Sequence, residues 1–137
     1  MTAQRDIDLS AGIKAIRALD YTAETRSLLR SLVTQGGAKS LIDALVAEGR
    51  SAGRDDYEAF TNLQVSLQKL TDAEPITGRI LMLYFVPIIE GTYFHDIWDW
   101  INIVMWQDRP KEFTACLQEI ISKEKDPQMK ETFSQWL

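Results

Sequence analysis

The sequence predicts an all-α fold, a compact bundle of seven to eight short, mostly antiparallel helices. Three observations carry that expectation. Apolar residues recur at helical spacing along almost the whole chain. Cap and stop signals place helix starts near positions 22, 38, 55, 75, 92, 110 and 127. The one stretch compatible with a buried strand, Ile80 to Val86, has no second strand-like run to pair with, and its Leu and Met favour helix.

Taken in order, Ile13, Ile16 and Leu19 share one face of a first helix. Leu28, Leu29, Leu32 and Val33 form the stripe of a second, stopped by Gly36 and Gly37. Leu41, Ile42, Leu45 and Val46 repeat the pattern in a third, ending near Gly49. Asp55 reads as an N-cap with Glu58 as its capping-box partner. Phe60, Leu63, Leu67 and Leu70 then follow at alternating spacings of three and four, an a/d seam suited to a core or to a dimer. Thr71 to Glu74 reads as a loop, and Pro75 suits the first turn of a fifth helix. Pro87 is expected to end or kink that helix, and Gly91 to close it.

Thr92 is expected to cap a sixth helix from about Tyr93 to Trp106. Asp108-Arg109-Pro110 opens a seventh, with Phe113, Leu117, Ile120 and Ile121 inward. Asp126-Pro127 starts the last, with Met129, Phe133 and Trp136 on its buried face. Starts roughly 17 residues apart also suit an α-solenoid of helix pairs. Sequence self-similarity, the actual repeat signal, is missing, so the bundle is preferred.

The 137 residues are one domain's worth, and 45% apolar with 26% charged residues is ordinary globular composition. Cys116 is the only cysteine, so no intrachain disulfide forms, and it reads as a small buried hydrophobe. Met1 to Ile16 carries Arg5, Asp6 and Asp8 and no apolar core of a signal peptide. The longest apolar run, Ile80 to Ile89, is half of what a membrane span needs. These features together predict a soluble, cytoplasmic protein.

The net charge is −5, and from Ala73 onward ten acids face six bases. No Lys or Arg occurs between Arg79 and Arg109. Nucleic-acid binding needs a basic stripe to displace counterions, so nucleic acid is not an expected partner. An interfacial membrane helix is normally rich in Lys and Arg, so a membrane is not expected either. Motifs for nucleotide binding, serine hydrolysis or thiol redox chemistry are absent. One Cys and one His exclude zinc fingers and His-rich di-metal sites, and no cofactor is expected.

The densest polar constellation is Glu90, His95, Asp96 and Asp99. His95 and Asp99 lie one helical turn apart, the arrangement of an oriented general base, and the acids also suit a hard divalent cation. The blander reading is acids complementing a helix dipole beside a surface His. Seven of the thirteen aromatics, Tyr84, Phe85, Tyr93, Phe94, Trp98, Trp100 and Trp106, sit in the stretch without positive charge. On a helical wheel Phe94, Ile97, Trp98, Ile101, Val104 and Met105 form an inward arc. Asp96, Asp99, Asn102 and Trp106 fall opposite, with Trp100 at the boundary. Most of these aromatics are expected in the core, with the fifth and sixth helices as a central hairpin.

The leading expectation is a non-enzymatic protein-binding module, an acidic adaptor or inhibitor analogous in size, charge and helicity to immunity and antitoxin proteins. Its binding residues are Glu90, Tyr93, Asp96, Trp98, Asp99 and Trp106, docking a basic partner surface. A rival expectation is a small-molecule or enzyme site with a pocket beside His95 and Asp99. A third is a structural subunit of a larger complex. Oligomeric state is left open.

Overall fold

The computed structural model describes residues 3–53 and 55–137, with side chains from Leu9 onward. Met1, and the side chains of Arg5, Asp6 and Asp8 used in the signal-peptide reading, lie outside that description. The described residues form eight helices and no strand: α1 (Ala3–Ala18), α2 (Ala23–Thr34), α3 (Ala38–Ser51), α4 (Asp56–Ala73), α5 (Pro75–Glu90), α6 (His95–Trp106), α7 (Lys111–Lys123) and α8 (Pro127–Ser134).

Local chemistry sets these boundaries. Thr22, Asp55 and Asp126 each accept a backbone N–H in the first turn of the helix they cap, from Thr25, Glu58 and Gln128. Pro75 and Pro127 open α5 and α8, where a missing N–H costs no helical bond. Gly36 and Gly53 take positive φ just after α2 and α3, a conformation that suits glycine.

Five boundaries depart from the sequence expectation. Leu19 lies beyond α1 at φ 54°, exposed rather than inward. Gly49 does not end α3 but sits inside it, where a Cβ would come 2.9 Å from that of Ala59 on α4. Its role is close helix approach. Thr71 and Asp72 are helical: Thr71 is buried against Gly78 of α5, and its hydroxyl finds a partner within the helix at Leu67 O, 2.7 Å away. Pro87 neither ends nor interrupts α5, which runs on to Glu90. Thr92 does not cap α6. Its hydroxyl closes α5 instead, donating to Ile89 O at 2.7 Å and accepting from Phe94 N–H at 3.2 Å, so α6 begins at His95.

α5 is the axis of the fold. It packs against α2, α3, α4, α6, α7 and α8, and its buried residues run from Thr77 through Ile89 on every side. A helix enclosed from so many directions rules out a solenoid, in which each unit meets only its neighbours. The expected central hairpin is therefore half right: α5 is central, whereas α6 buries only Ile97, Ile101, Val104 and Met105 and keeps an outer face. The α4 seam of Phe60, Leu63, Leu67 and Leu70 is spent inside the chain, mainly against α5. α4 and α5 approach so closely at Gly78 that a Cβ there would lie 2.7 Å from Thr71 Cα. Phe113, Leu117, Phe133 and Trp136 complete the core from α7 and from α8 with its last turn. Cys116 is half-buried at a cleft rather than sealed inside.

Candidate acidic and aromatic face on helix α6

The apolar pattern of α6 fixes its orientation. Ile97, Ile101, Val104 and Met105 face α5 and leave His95, Asp99, Ile103 and Trp106 on the opposite, exposed side. Two flanking contacts lock that rotation. Trp100 donates its indole N–H to Gln68 Oε1 of α4 at 2.7 Å. Trp136 donates to Asn102 Oδ1 at 3.0 Å on the side facing the C-terminal segment. Burying indole rings without losing their N–H bonds is what makes this packing affordable.

The aromatic cluster separates by depth. Phe85 is fully buried, while Tyr84, Phe94, Trp98 and Trp100 are half-buried against the core. Trp98, expected in the inward arc and also among the binding residues, is half-buried and packs against the core. Tyr93 and Trp106 are outside, 92% and 50% exposed, joined by Ile103 at 59%. The tight turn after α5 holds Tyr93 out while Phe94 tucks under. Phe94 packs edge-on against Tyr57 at 5.0 Å and against Phe60 at 5.7 Å, and Phe60 continues to Phe85 at 5.7 Å. A chain of edge-to-face rings therefore runs from the surface into the core.

Asp96 and Asp99 lie on α6 itself, whereas Glu90 is the last residue of α5 and turns towards α8. Asp96 accepts a 2.6 Å hydrogen bond from the Tyr57 hydroxyl, and that bond with the nearby negative charge raises the pKa of the phenol. Glu90 accepts from Thr132 at 3.4 Å. Among the described residues no ion pair engages Glu90, Asp96 or Asp99, whereas Glu48, Glu74, Asp43, Asp56 and Glu119 are all paired. His95 and Asp99 are both exposed, and no hydrogen bond joins them. None of the three surface clefts described has His95 or Asp99 in its wall. No group of three or more His, Cys, Asp or Glu is arranged to hold a metal among the described residues.

Four residues that shape the face were not picked out from the sequence: Ile103, 59% exposed on α6, and Tyr57, Arg79 and Arg109. Tyr57 comes from α4, and no local pattern ties it to Asp96. Arg79 is 4% exposed and makes no ion pair among the described residues, although the Asp108 charge acts on it favourably. It donates to Val104 O at 3.1 Å, Pro75 O at 3.0 Å and Gln107 O at 2.7 Å, bracing the C-terminal turn of α6 with a cation. Burial, and then the Arg109 charge, lower its pKa, but a guanidinium stays cationic at neutral pH. Arg109 lies over Trp106 at 4.6 Å and over Phe113 at 4.9 Å, and donates to Thr114. One face of the Trp106 ring is therefore already occupied by a guanidinium of the chain itself. Asp108, at φ 49°, makes the sharp turn that brings Arg109 back.

No protein family, curated protein or solved structure gives a significant match to this chain. No helix of the described residues is long and apolar enough to cross a membrane.

Proposed function

We propose that this chain is a non-enzymatic protein-binding module, an acidic adaptor or inhibitor whose α6 face docks a basic surface of a partner protein. The observation that carries the reading is the company of unpaired charge and bare rings. Asp96, Asp99 and Glu90, free of ion pairs among the described residues, stand with Tyr93, Ile103 and Trp106 in water. In such an arrangement the carboxylates accelerate encounter with a cationic partner and set orientation, while the rings supply the buried anchors. Arg109 on Trp106 supports the idea that this indole accepts a guanidinium, because the ring already carries one on one face.

The test is site-specific photocrosslinking in cells that make the protein. A benzophenone side chain replacing Tyr93 should yield a discrete adduct, and the same group at Lys39 on α3 should not. In the purified complex, Asp96→Asn with Asp99→Asn should slow association and flatten its salt dependence. Absence of any adduct at position 93, or association indifferent to both substitutions, overturns the proposal.

A further inference from the structure

We infer that the outer stripe of α6, together with the polar cleft beside its last turn, is a seat for an amphipathic basic helix of a partner protein. The inference rests on the docking role proposed for this face and names its occupant. Asp99, Ile103 and Trp106 follow at intervals of four and three and are all exposed. At 1.5 Å per residue they form a ridge about 10 Å long. That spacing is the ridge onto which a second helix packs, and among the described residues Arg109 covers one face of Trp106 while Ile103 and Asp99 stay exposed. An extended peptide suits the surface less well. The described residues hold no strand edge, so its backbone N–H and C=O groups would meet side chains alone.

Charge identifies the kind of helix. Beside the C-terminal turn of α6 opens a cleft of about 380 Å³, walled by Gln68, Asp72, Arg79, Gln107 and Asp108. Arg79 has Nε, Nη1 and Nη2 each committed to a backbone carbonyl. Asp72 accepts from Gln68 at 3.0 Å, and neither Asp72 nor Asp108 is in an ion pair among the described residues. The cleft therefore presents two carboxylates next to a ridge that carries Asp99: Asp108 is partly offset by the Arg79 charge, and Asp72 carries the larger share of the attraction. A lysine or arginine extending from a docked helix fits that opening, while its apolar residues cover Ile103 and the free face of Trp106. A second copy of this chain is disfavoured, because it brings the same acidic face, with Asp96 and Asp99 and without Lys or Arg on α6, against itself. An anionic lipid surface is repelled by the same charges.

Synthetic peptides of about four helical turns test this directly. One carries leucines at i, i+3, i+4 and i+7 with arginines on the flanks. A second has the same composition with the leucine pattern scrambled, and a third has glutamate for arginine. Titrated by fluorescence anisotropy, the first should bind about tenfold or more tighter than either control, a difference of about 1.4 kcal/mol. Ile103→Glu should abolish that preference, and Asp72→Asn with Asp108→Asn should weaken binding several-fold. These positions are exposed apart from the shallow cleft, and far-ultraviolet circular dichroism checks that each variant is folded. Equal binding of the scrambled basic peptide overturns the helical seat while leaving the docking proposal standing. No binding of either basic peptide, with the Tyr93 crosslink still formed, assigns the face to a different partner and also overturns it. Self-association or phosphatidylserine-vesicle binding lost in Ile103→Glu overturns it in favour of a second copy or a membrane.

Discussion

Tyr57 and Asp96 meet across the α4–α6 junction in a 2.6 Å hydrogen bond, with the phenol donating to the carboxylate. The bond holds the Tyr57 pKa above the ordinary 10.0. A raised folded-state value means that the folded chain holds the proton more tightly than the unfolded one. The linked stabilisation is complete below about pH 10 and is lost as pH climbs through the folded-state value. In an alkaline absorbance titration, Asp96→Asn should bring one late-titrating phenol back towards its ordinary range, and Tyr57→Phe should remove it. Identical curves for wild type and Asp96→Asn would show that the bond is not formed in solution.

At Gly78 α4 and α5 approach closely, the place of a side chain being filled by Thr71. Gly78→Ala gains helix propensity of about 1 kcal/mol. It also drives a methyl into the Thr71 backbone, and overpacking of that kind costs about 1–3 kcal/mol. The net expectation is a loss of stability in urea denaturation. Gly91→Ala is the control, since a Cβ there meets nothing closer than Ile88 O at 3.8 Å, and it should stay within about 0.5 kcal/mol of wild type.

Arg79→Leu keeps much of the side-chain volume but leaves Val104 O and Gln107 O without their donor. A buried acceptor left unpaired costs about 1–3 kcal/mol, and Val104 O is the buried one while water can reach Gln107 O, so a loss of roughly 1–3 kcal/mol is expected. Arg79→Lys should recover part of it, because an ammonium keeps the charge but not the three-way fork. Equilibrium denaturation of the two variants should rank them in that order.

Trp106 is half exposed, Trp98 and Trp100 are half-buried, and Trp136 is fully buried. Acrylamide should therefore lose most of its access to tryptophan emission in Trp106→Phe. Arg109→Leu, which removes the guanidinium lying 4.6 Å over the ring, should increase quenching of Trp106. Unchanged quenching in Trp106→Phe would place the indole inside the protein.

The helices were legible because their signals are local. Asp55, Pro75 and Asp126-Pro127 act within a single turn, and the structure starts α4, α5 and α8 where those residues indicate. Misreadings arose where a distant partner decides. Gly49 looks like a terminator until Ala59 of α4 is seen pressed against it. Thr71 looks like loop until it is seen buried against Gly78 of α5. Pro87 forfeits one helical bond, but apolar burial on either side, through Val86 and Ile89, carries α5 past it. On the face itself, the wheel separated Asp96, Asp99 and Trp106 from the buried arc of Ile97, Ile101, Val104 and Met105. Periodicity within α6 says nothing of Tyr57 or Arg79, which arrive from α4 and α5 and set the geometry of both its ends.

The central position of α5 has a consequence for how the chain comes apart. Three of the helices that wall it precede it and make the larger part of the contact, and three follow the turn at Gly91. A protease cut in that turn leaves one piece with an oily rod stripped along one flank and another with no rod to wrap. The two should recombine as a split pair and fail as separate modules, which makes the Gly91 turn a natural place to engineer a reconstitution reporter.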